Sequence, residues 1–205
     1  MKTITIEKNL YDFEEVREKA LEKNRYCLVD DYSYWYDETL YDAKKELEKI
    51  GFLNADIQFS GFCSQGDGAC FDADIDVEKM LDYLLEIKKF STEEIQTIKN
   101  ISDLMEIKIE KNHWANHYCH EKTRYIDIEI DFCNHLDDEF DSIEKGDEIY
   151  SRLLKATEEI RLEKCIEIYN KLEDEYDYLT SDSVVADWLN DAYWFNEDGS
   201  IYESK

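Results

Sequence analysis

The sequence predicts an α+β fold, with an antiparallel sheet of two β-hairpins packed by helices and followed by a C-terminal helical unit. Two stretches, residues 57–75 and 107–132, alternate apolar and polar side chains as half-buried strands do. Elsewhere apolar residues repeat every three or four positions, which indicates helices. We expect an α+β domain over residues 1–145, with a helical unit over residues 146–205 packed on it to form one compact domain.

Before the first hairpin, the sequence pattern predicts a short stretch of alternating apolar and polar residues and two helices. Residues 3–6 alternate, and the apolar positions of the first helix are Leu10, Phe13, Val16 and Leu21. The apolar positions of the second helix are Leu40, Ala43, Leu47 and Ile50. Gly51 follows where this helix should end, because glycine tolerates the left-handed conformation of a helix C-terminus.

The first hairpin is expected to turn at residues 64–68 and to lead into two further helices. An apolar repeat with helical spacing begins at Val77, so the first of them is expected to start near Asp76. Ser91 and Glu94 have the spacing of a capping box, which predicts the start of the second.

The second hairpin is expected to turn at residues 121–123, and an acidic connector over residues 136–146 leads from it to the C-terminal helices. A turn at residues 196–200 follows those helices. Their apolar positions are Leu162, Ile166, Tyr169, Leu172, Tyr176, Leu179, Val184, Val185, Trp188 and Leu189.

The turn of the first hairpin concentrates glycine in a chain that has only six of them. Gly61, Gly66 and Gly68 predict a tight, specifically shaped loop, because glycine permits left-handed backbone. Such a loop can offer amides to an anion, or a carboxylate to a metal or a ribose hydroxyl. The candidate ligand-binding residues are Ser64, Gln65, Gly66, Asp67 and Gly68. A structural aspartate–glycine turn explains the same residues, and neither nucleotide-binding glycine fingerprint is present.

The formal charge is −27, from 51 acidic and 24 basic side chains. This charge opposes direct binding to nucleic acid or to an anionic membrane, and it favours a basic protein as partner. Adaptation to high salt is disfavoured, because 19 of the 24 basic residues are lysine. The alternative explanation is a well-solvated acidic surface without a partner.

Acidic residues occupy every second position on one strand of each predicted hairpin. The candidate partner-binding residues are Asp72, Asp74 and Asp76 in the first ladder, and Asp127, Glu129 and Asp131 in the second. Alternate residues of a strand lie about 6.8 Å apart, similar to successive phosphates of a nucleic-acid strand. The two acidic ladders therefore predict a surface that imitates a phosphate backbone. The alternative is the ordinary solvent face of half-buried strands.

Soft metal ligands also fall near the two hairpins. The candidate metal ligands are Cys63, Cys70, His117, Cys119 and His120, and zinc binds such nitrogen and sulfur donors. Their spacing matches no standard zinc motif, so we expect no cofactor and treat zinc as the alternative; histidines of the core or surface explain the same residues. The acidic surroundings oppose a reactive thiolate, which favours a binding protein over an enzyme.

Residues 57–71, Ile-Gln-Phe-Ser-Gly-Phe-Cys-Ser-Gln-Gly-Asp-Gly-Ala-Cys-Phe, resemble a motif of a family of uncharacterised proteins encoded by bacteriophages and prophages. Residues 117–120, His-Tyr-Cys-His, and residues 172–182 are similar to segments that follow this motif in that family. The resemblance implies a phage origin and no established activity. With no secretory signal and no apolar run of roughly 20 residues, we expect reduced cysteines and a cytoplasmic protein of the bacterial host.

In charge and size the chain resembles small acidic phage inhibitors of restriction and CRISPR nucleases. We therefore expect an anti-defence protein, anti-CRISPR being the leading example, that binds the basic nucleic-acid-binding region of a host nuclease or its ribonucleoprotein complex. The alternative is a nucleotide- or metal-binding protein, with or without enzymatic activity, that has its site at the glycine-rich turn and the histidine–cysteine strand. The oligomeric state stays open.

Overall fold

The computed structural model describes residues 9–30, 34–100, 105–113, 119–130, 143–190 and 193–204. Its helices and antiparallel two-stranded sheets confirm the α+β class. The chain folds as two compact units: unit 1 comprises residues 1–37 and 172–205, and unit 2 comprises residues 38–171. The helix that carries residues 145 and 146 is continuous across the boundary expected there.

In chain order the elements are α1 (Phe13–Asn24), α2 (Cys27–Asp30), α3 (Asp37–Lys49), β1 (Phe52–Ser60), β2 (Gly68–Ile75), α4 (Val77–Glu86), α5 (Thr92–Lys99), β3 (Met105–Lys111), a 3₁₀ turn (Glu121–Thr123), β4 (Arg124–Ile130), α6 (Ile143–Leu179), α7 (Asp182–Asn190), β5 (Tyr193–Phe195) and β6 (Ile201–Ser204). The alternating start at residues 3–6 lies outside the described residues. The connector expected to reach residue 146 is wrong at its end, because α6 already begins at Ile143.

In unit 2 the first hairpin pairs β1 with β2 and buries one face. Ile57 lies opposite Phe71, and the rings of Phe71 and Phe52 pack edge to face with centroids 5.1 Å apart. Both phenylalanines are fully buried. The register shifts between Leu53 and Asp56, a bulge that increases the local twist of the strand.

Helix caps set the start of the helices that follow this hairpin. The Asp76 carboxylate accepts a hydrogen bond from the Lys79 amide at 3.1 Å and so caps α4, which starts near Asp76 as predicted. Ser91 and Glu94 form the predicted capping box of α5. Gly51, at a φ of +100°, ends α3 so close to α4 that an added Cβ would lie 2.8 Å from the Asp76 carbonyl oxygen.

The second hairpin pairs β3 with β4, with Ile107 opposite Ile128 on the buried face. Helix α6 covers the other edge of β4. The Ile126 amide donates to the Glu158 carboxylate at 3.0 Å, and the Tyr150 hydroxyl donates to the Ile128 carbonyl at 2.6 Å. An edge that would otherwise offer free backbone groups is thereby closed by side chains.

Unit 1 has its own apolar core, built from residues at both ends of the sequence. The core residues are Phe13, Val16, Ala20, Leu21, Val185, Ala186, Leu189 and Phe195. Leu10 precedes the helix and is exposed, so the first predicted helix starts one turn later than its apolar pattern indicates.

A third hairpin, β5 with β6, flanks the predicted turn at residues 196–200. Its turn lies against α1, since an added Cβ on Gly199 would be 2.4 Å from the Lys19 carbonyl carbon. Gly199 also has a φ of +80°, so both its conformation and its surroundings exclude a side chain.

Within the described ranges, no helix has both the length and the apolar composition needed to cross a membrane.

Candidate functional site

A groove of about 490 Å³ lies between β2 and β3, where the two hairpins of unit 2 face each other. Its charged lining residues are Asp74, Glu106, Lys108 and Glu110. Its other lining residues are Ala73, Ile75, Val77, Met105, Ile107 and Ile109. The charged residues that line the groove are thus three acids and one lysine, a composition suited to a basic side chain or segment.

The first member of the first ladder, Asp72, is held by a buried arginine. The Arg124 guanidinium donates to both Asp72 oxygens, from Nε at 2.5 Å and from Nη2 at 2.8 Å. The Arg124 side chain is 3% exposed and that of Asp72 is 43% exposed. This hydrogen bonding raises the pKa of Arg124 above its ordinary value. Asp72 thus stabilises an otherwise buried charge, and only part of its carboxylate faces solvent.

The other two members of the first ladder differ from each other. Asp74 is exposed, lines the groove and accepts a hydrogen bond from the Asn54 side chain at 2.9 Å. Asp76 is half-buried and serves as the N-cap of α4. Asp74 is therefore the ladder residue best placed to meet a partner in the groove.

The second ladder is partly neutralised by one lysine. Lys108 Nζ lies 3.0 Å from the Glu106 carboxylate and 3.2 Å from the Glu129 carboxylate. The contact with Glu106, and then that with Glu129, raises the pKa of Lys108. Asp127 is half-buried and lies opposite Lys108 in the strand register. Asp131 lies outside the described residues.

Carboxylates oppose each other directly on both hairpins. Asp56 is the register partner of Asp72, and Glu106 is the register partner of Glu129. Like charges in this position destabilise a sheet. A single cation, Arg124 for the first pair and Lys108 for the second, contacts each pair, so each retains a net negative charge.

The glycine-rich turn closes on its own aspartate. Asp67 accepts hydrogen bonds from the amides of Cys63 and Ser64, at 3.0 and 2.6 Å. An added Cβ on Gly61 would lie 2.5 Å from the same carboxylate, and Gly66 has a φ of +107°. The turn therefore uses Asp67 and two of its glycines for its own conformation, while Ser64 and Gln65 are exposed.

The two hairpins adjoin at the residues proposed as metal ligands. An added Cβ on Gly68 would lie 2.7 Å from the His120 Cβ, so β2 begins directly against the second hairpin. His120 Nδ1 accepts a hydrogen bond from the Lys122 amide at 3.2 Å. Cys70 is buried, and burial raises the pKa of its thiol. Cys63, by contrast, is exposed on the turn.

Cys119 is half-buried. His117 lies outside the described residues. Over the ranges that the structure describes, no three or more His, Cys, Asp or Glu side chains are grouped so as to hold a metal ion.

A buried arginine on α6, Arg161, was missed by sequence reasoning. Its side chain is 0% exposed and donates to both Glu158 oxygens, at 2.8 and 2.6 Å. It also donates to the backbone carbonyls of Glu121 and Arg124, at 2.9 and 2.8 Å. The signal was present, because Arg161 falls four residues from both Thr157 and buried Cys165, on the apolar face of the helix.

A second missed feature is an acidic segment with no positive charge. Residues 172–204 contain no lysine or arginine. Their ten acidic residues are Glu173, Asp174, Glu175, Asp177, Asp182, Asp187, Asp191, Glu197, Asp198 and Glu203. Counting both signs of charge along the sequence, instead of searching for strand ladders, would have found it.

The model of a family described as "Domain of unknown function (DUF8835)" matches residues 35–182, which is more than half of the chain. Neither a curated protein nor a solved structure matches the chain.

Proposed function

We propose that this chain, which belongs to the DUF8835 family, is a phage-encoded anti-defence protein that occupies the basic nucleic-acid-binding region of a host nuclease, as anti-CRISPR proteins do. Support comes from the negatively charged walls of the groove between β2 and β3. In this proposal the protein acts by binding, not by catalysis.

The observation that carries the proposal is a pair of directly opposed carboxylates on each of the two hairpins that border the groove, of which Glu106 itself lines it. Asp56 opposes Asp72 on the first hairpin, and Glu106 opposes Glu129 on the second. Folding alone does not favour this arrangement, because like charges across strands reduce stability. A partner rich in lysine and arginine would gain from it, since the summed negative potential steers a basic surface into contact.

The partner expected from this chemistry is a protein surface that normally holds a phosphate backbone. Such surfaces present rows of lysine and arginine and bind through charge with strong dependence on salt. The proposed inhibitor therefore competes with the nucleic acid of the nuclease, and it does not bind nucleic acid itself. It would act in the cytoplasm of the bacterial host.

A cleavage assay with purified CRISPR and restriction nucleases tests this function. We expect at least one nuclease to be inhibited, with inhibition relieved when the enzyme is loaded with its nucleic acid first. Raising salt from about 50 mM to about 200 mM should weaken the inhibition steeply. Failure to inhibit any nuclease of the panel, or inhibition that preloading does not change, would contradict the proposal.

Paired variants locate the surface. Asp74→Asn combined with Glu106→Gln removes two charges from the groove and should weaken inhibition roughly tenfold. The matched control, Glu18→Gln with Glu22→Gln, removes two exposed charges from α1 in unit 1. Equal effects of the two pairs would indicate net charge alone and would reject the groove as the binding surface.

One observation favours the alternative of a metal or nucleotide site, namely the contact between Gly68 and His120 that joins the glycine-rich turn to the histidine–cysteine strand. Zinc or nucleotide retained by purified protein, measured by mass spectrometry, would support it. His120→Ala should then remove both the ligand and the activity, whereas nuclease inhibition through the groove should be unchanged by this substitution.

A further inference from the structure

Unit 1 contains a cluster of four aromatic side chains near the start of α2 and the end of α6. Tyr26 and Tyr176 lie nearly parallel, with ring centroids 6.4 Å apart and an interplanar angle of 24°. Trp35 lies 6.0 Å from Tyr176 and 5.4 Å from Tyr36. Tyr26 is 49% exposed, and the other three are half-buried. We name these four residues the aromatic patch.

Carboxylates flank the aromatic patch. The Asp30 amide donates to the Tyr26 carbonyl at 2.8 Å, so Asp30 follows Tyr26 by one helical turn. Glu173 precedes Tyr176 by three residues on α6 and therefore shares its face of the helix. Asp177 is the next residue after Tyr176 and is exposed, as is Asp30.

These carboxylates are not matched by cations within unit 1. Asp30, Glu173 and Asp177 form no salt bridge with another residue that the structure describes. Arg25, the basic residue adjacent to Tyr26, is engaged elsewhere, since its guanidinium lies 2.8 Å from Asp182 and donates to the Thr180 carbonyl at 3.2 Å.

Asp177, in the last turn of α6, also interacts unfavourably with the dipole of that helix. The last turn of α6 contains no basic residue, although the C-terminus of a helix carries partial negative charge and favours lysine or arginine. Negative side chains there reduce helix stability. The aromatic patch therefore lies beside carboxylates that form no salt bridge with a described residue. The group that suits such a surface best is a cation with a flat, apolar face.

We infer that the aromatic patch is a binding site for arginine side chains of a basic, extended segment of a partner protein. The guanidinium group is planar, stacks on aromatic rings and pairs with carboxylates in a bidentate manner, which the ammonium group of lysine does not do. The inference goes beyond the proposed function: it needs a partner with exposed arginine, whether or not that partner is a nuclease.

Fluorescence anisotropy with two labelled peptides tests the inference on the full chain. One is a glycine-spaced arginine peptide, and the other replaces every arginine by lysine at the same length and charge. We expect the arginine peptide to bind roughly two- to fivefold more tightly. Equal affinity for the two peptides would overturn the inference, because charge alone would then account for binding.

Tyrosine variants locate the preference. Tyr26→Leu keeps an apolar side chain at an exposed position but removes the ring, so it should abolish the arginine preference without unfolding unit 1. Tyr178→Leu is the matched control, since Tyr178 is 61% exposed and lies two residues beyond Tyr176, on the other side of α6. A preference that survives in Tyr26→Leu, or is lost equally in the control, contradicts the assignment.

Charge variants separate this site from the groove. Glu173→Gln with Asp177→Asn should weaken both peptides, whereas Asp187→Asn with Glu197→Gln, two exposed positions of the same unit, removes equal charge with less effect. The groove pair Asp74→Asn with Glu106→Gln should leave the arginine preference intact. If the groove pair abolishes it, the arginine site belongs to the groove and the inference fails, independently of any result with nucleases.

Discussion

The hairpins of unit 2 and residues 172–204 of unit 1 are both acidic, but they differ in whether the segment itself supplies the cations that pair with its carboxylates. On the hairpins a defined cation meets the carboxylates: Arg124 binds Asp72, and Lys108 lies between Glu106 and Glu129. Residues 172–204 contain no lysine or arginine, and the described cations that pair with their carboxylates come from the start of the chain: Arg25 pairs with Asp182, and Lys23 pairs with Asp198. The comparison shows that part of the acidity belongs to the fold, whereas another part is not balanced within its own segment.

This difference separates two kinds of acidic residue that the sequence alone treats as equal. A carboxylate bonded to a buried guanidinium stabilises the folded state, and its removal leaves that charge without a partner. A carboxylate at the negative end of a helix destabilises the folded state, and its removal relieves repulsion. Substitution of Asp72, which binds Arg124, and of Asp177, in the last turn of α6, should therefore change the free energy of unfolding in opposite directions.

Loss of the Arg161 side chain should have the largest effect. Arg161→Met removes the guanidinium that donates to the Glu158 carboxylate and to two backbone carbonyls. Glu158 then keeps only the Ile126 amide among these donors, and we expect a loss of roughly 3 to 5 kcal/mol in urea unfolding. Lys155→Met on the same helix is the control, because its side chain is 78% exposed, and it should cost less than about 1 kcal/mol. Similar losses for both variants would show that Arg161 is not a specific support of unit 2.

Asp72→Asn should give the next largest loss. The amide keeps the shape of the side chain but removes the charge that two Arg124 donors need, and we expect about 2 kcal/mol in the same measurement. Asp74 lies two residues after Asp72 on the same face of β2. Asp74→Asn should change the free energy of unfolding by less than about 0.5 kcal/mol, since Asp74 is exposed. Equal losses of stability in the two variants would show that Asp72 does not stabilise the fold more than the exposed Asp74 does.

Asp177→Lys should stabilise the protein, the opposite of the change expected for Asp72→Asn. A positive side chain in the last turn of α6 complements the helix dipole, with a gain of about 0.5 kcal/mol at low salt. Glu78→Lys makes the same change in the first turn of α4 and should destabilise by a similar amount. High salt should reduce both effects, and a loss of stability in Asp177→Lys would contradict the view that this region carries unbalanced charge.

Glu94 provides the smallest and most pH-specific test. Hydrogen bonds from the Ser91 amide and then from Arg152 lower the pKa of Glu94 from 4.5 to about 2. Because the pKa of Glu94 is lower in the folded state, its carboxylate stabilises the folded protein at pH values above the ordinary pKa of about 4.5. This stabilisation is lost as the pH falls from about 4.5 towards about 2. Glu94→Gln should therefore lower the melting temperature slightly at neutral pH, and the difference from the wild type should shrink across that range.

The neighbouring variant Glu93→Gln serves as the control for this pH profile. Glu93 is exposed and lies in the same first turn of α5, but the capping box uses Glu94. A difference between Glu94→Gln and the wild type that stays constant with pH would show that the carboxylate charge does not contribute.

The local elements were largely predictable because they depend on neighbours in sequence. Apolar spacing located α3 and the start of α4 near Asp76, Gly51 marked the end of α3, and the capping box of Ser91 marked the start of α5. The third hairpin was missed because its strands, Tyr193–Phe195 and Ile201–Ser204, are too short to show alternation. Its pairing is completed by Tyr11, far away in sequence, which exchanges backbone hydrogen bonds with Phe195.

The candidate site was less predictable, because long-range pairing decides which carboxylates are available. Strand alternation placed Asp72 and Asp74 on one ladder, but only the fold shows that Arg124, 52 residues away in sequence, binds Asp72 alone of the two. The glycine-rich turn drew attention as a ligand site, yet Asp67 folds back on its own loop amides. Spacing predicts which face a side chain occupies, but not which distant side chain meets it.

The division of unit 1 between residues 1–37 and 172–205 has a consequence for synthesis on the ribosome. The apolar side chains of α1 are made first, but their partners Val185, Leu189 and Phe195 come only after all of unit 2. At translation speeds of about 20 residues per second or less, this delay is on the order of ten seconds. During that interval Phe13 and Val16 have no native cover, so the nascent chain should be a substrate for chaperones that bind emerging apolar segments, and unit 2 should become protease-resistant before unit 1 does.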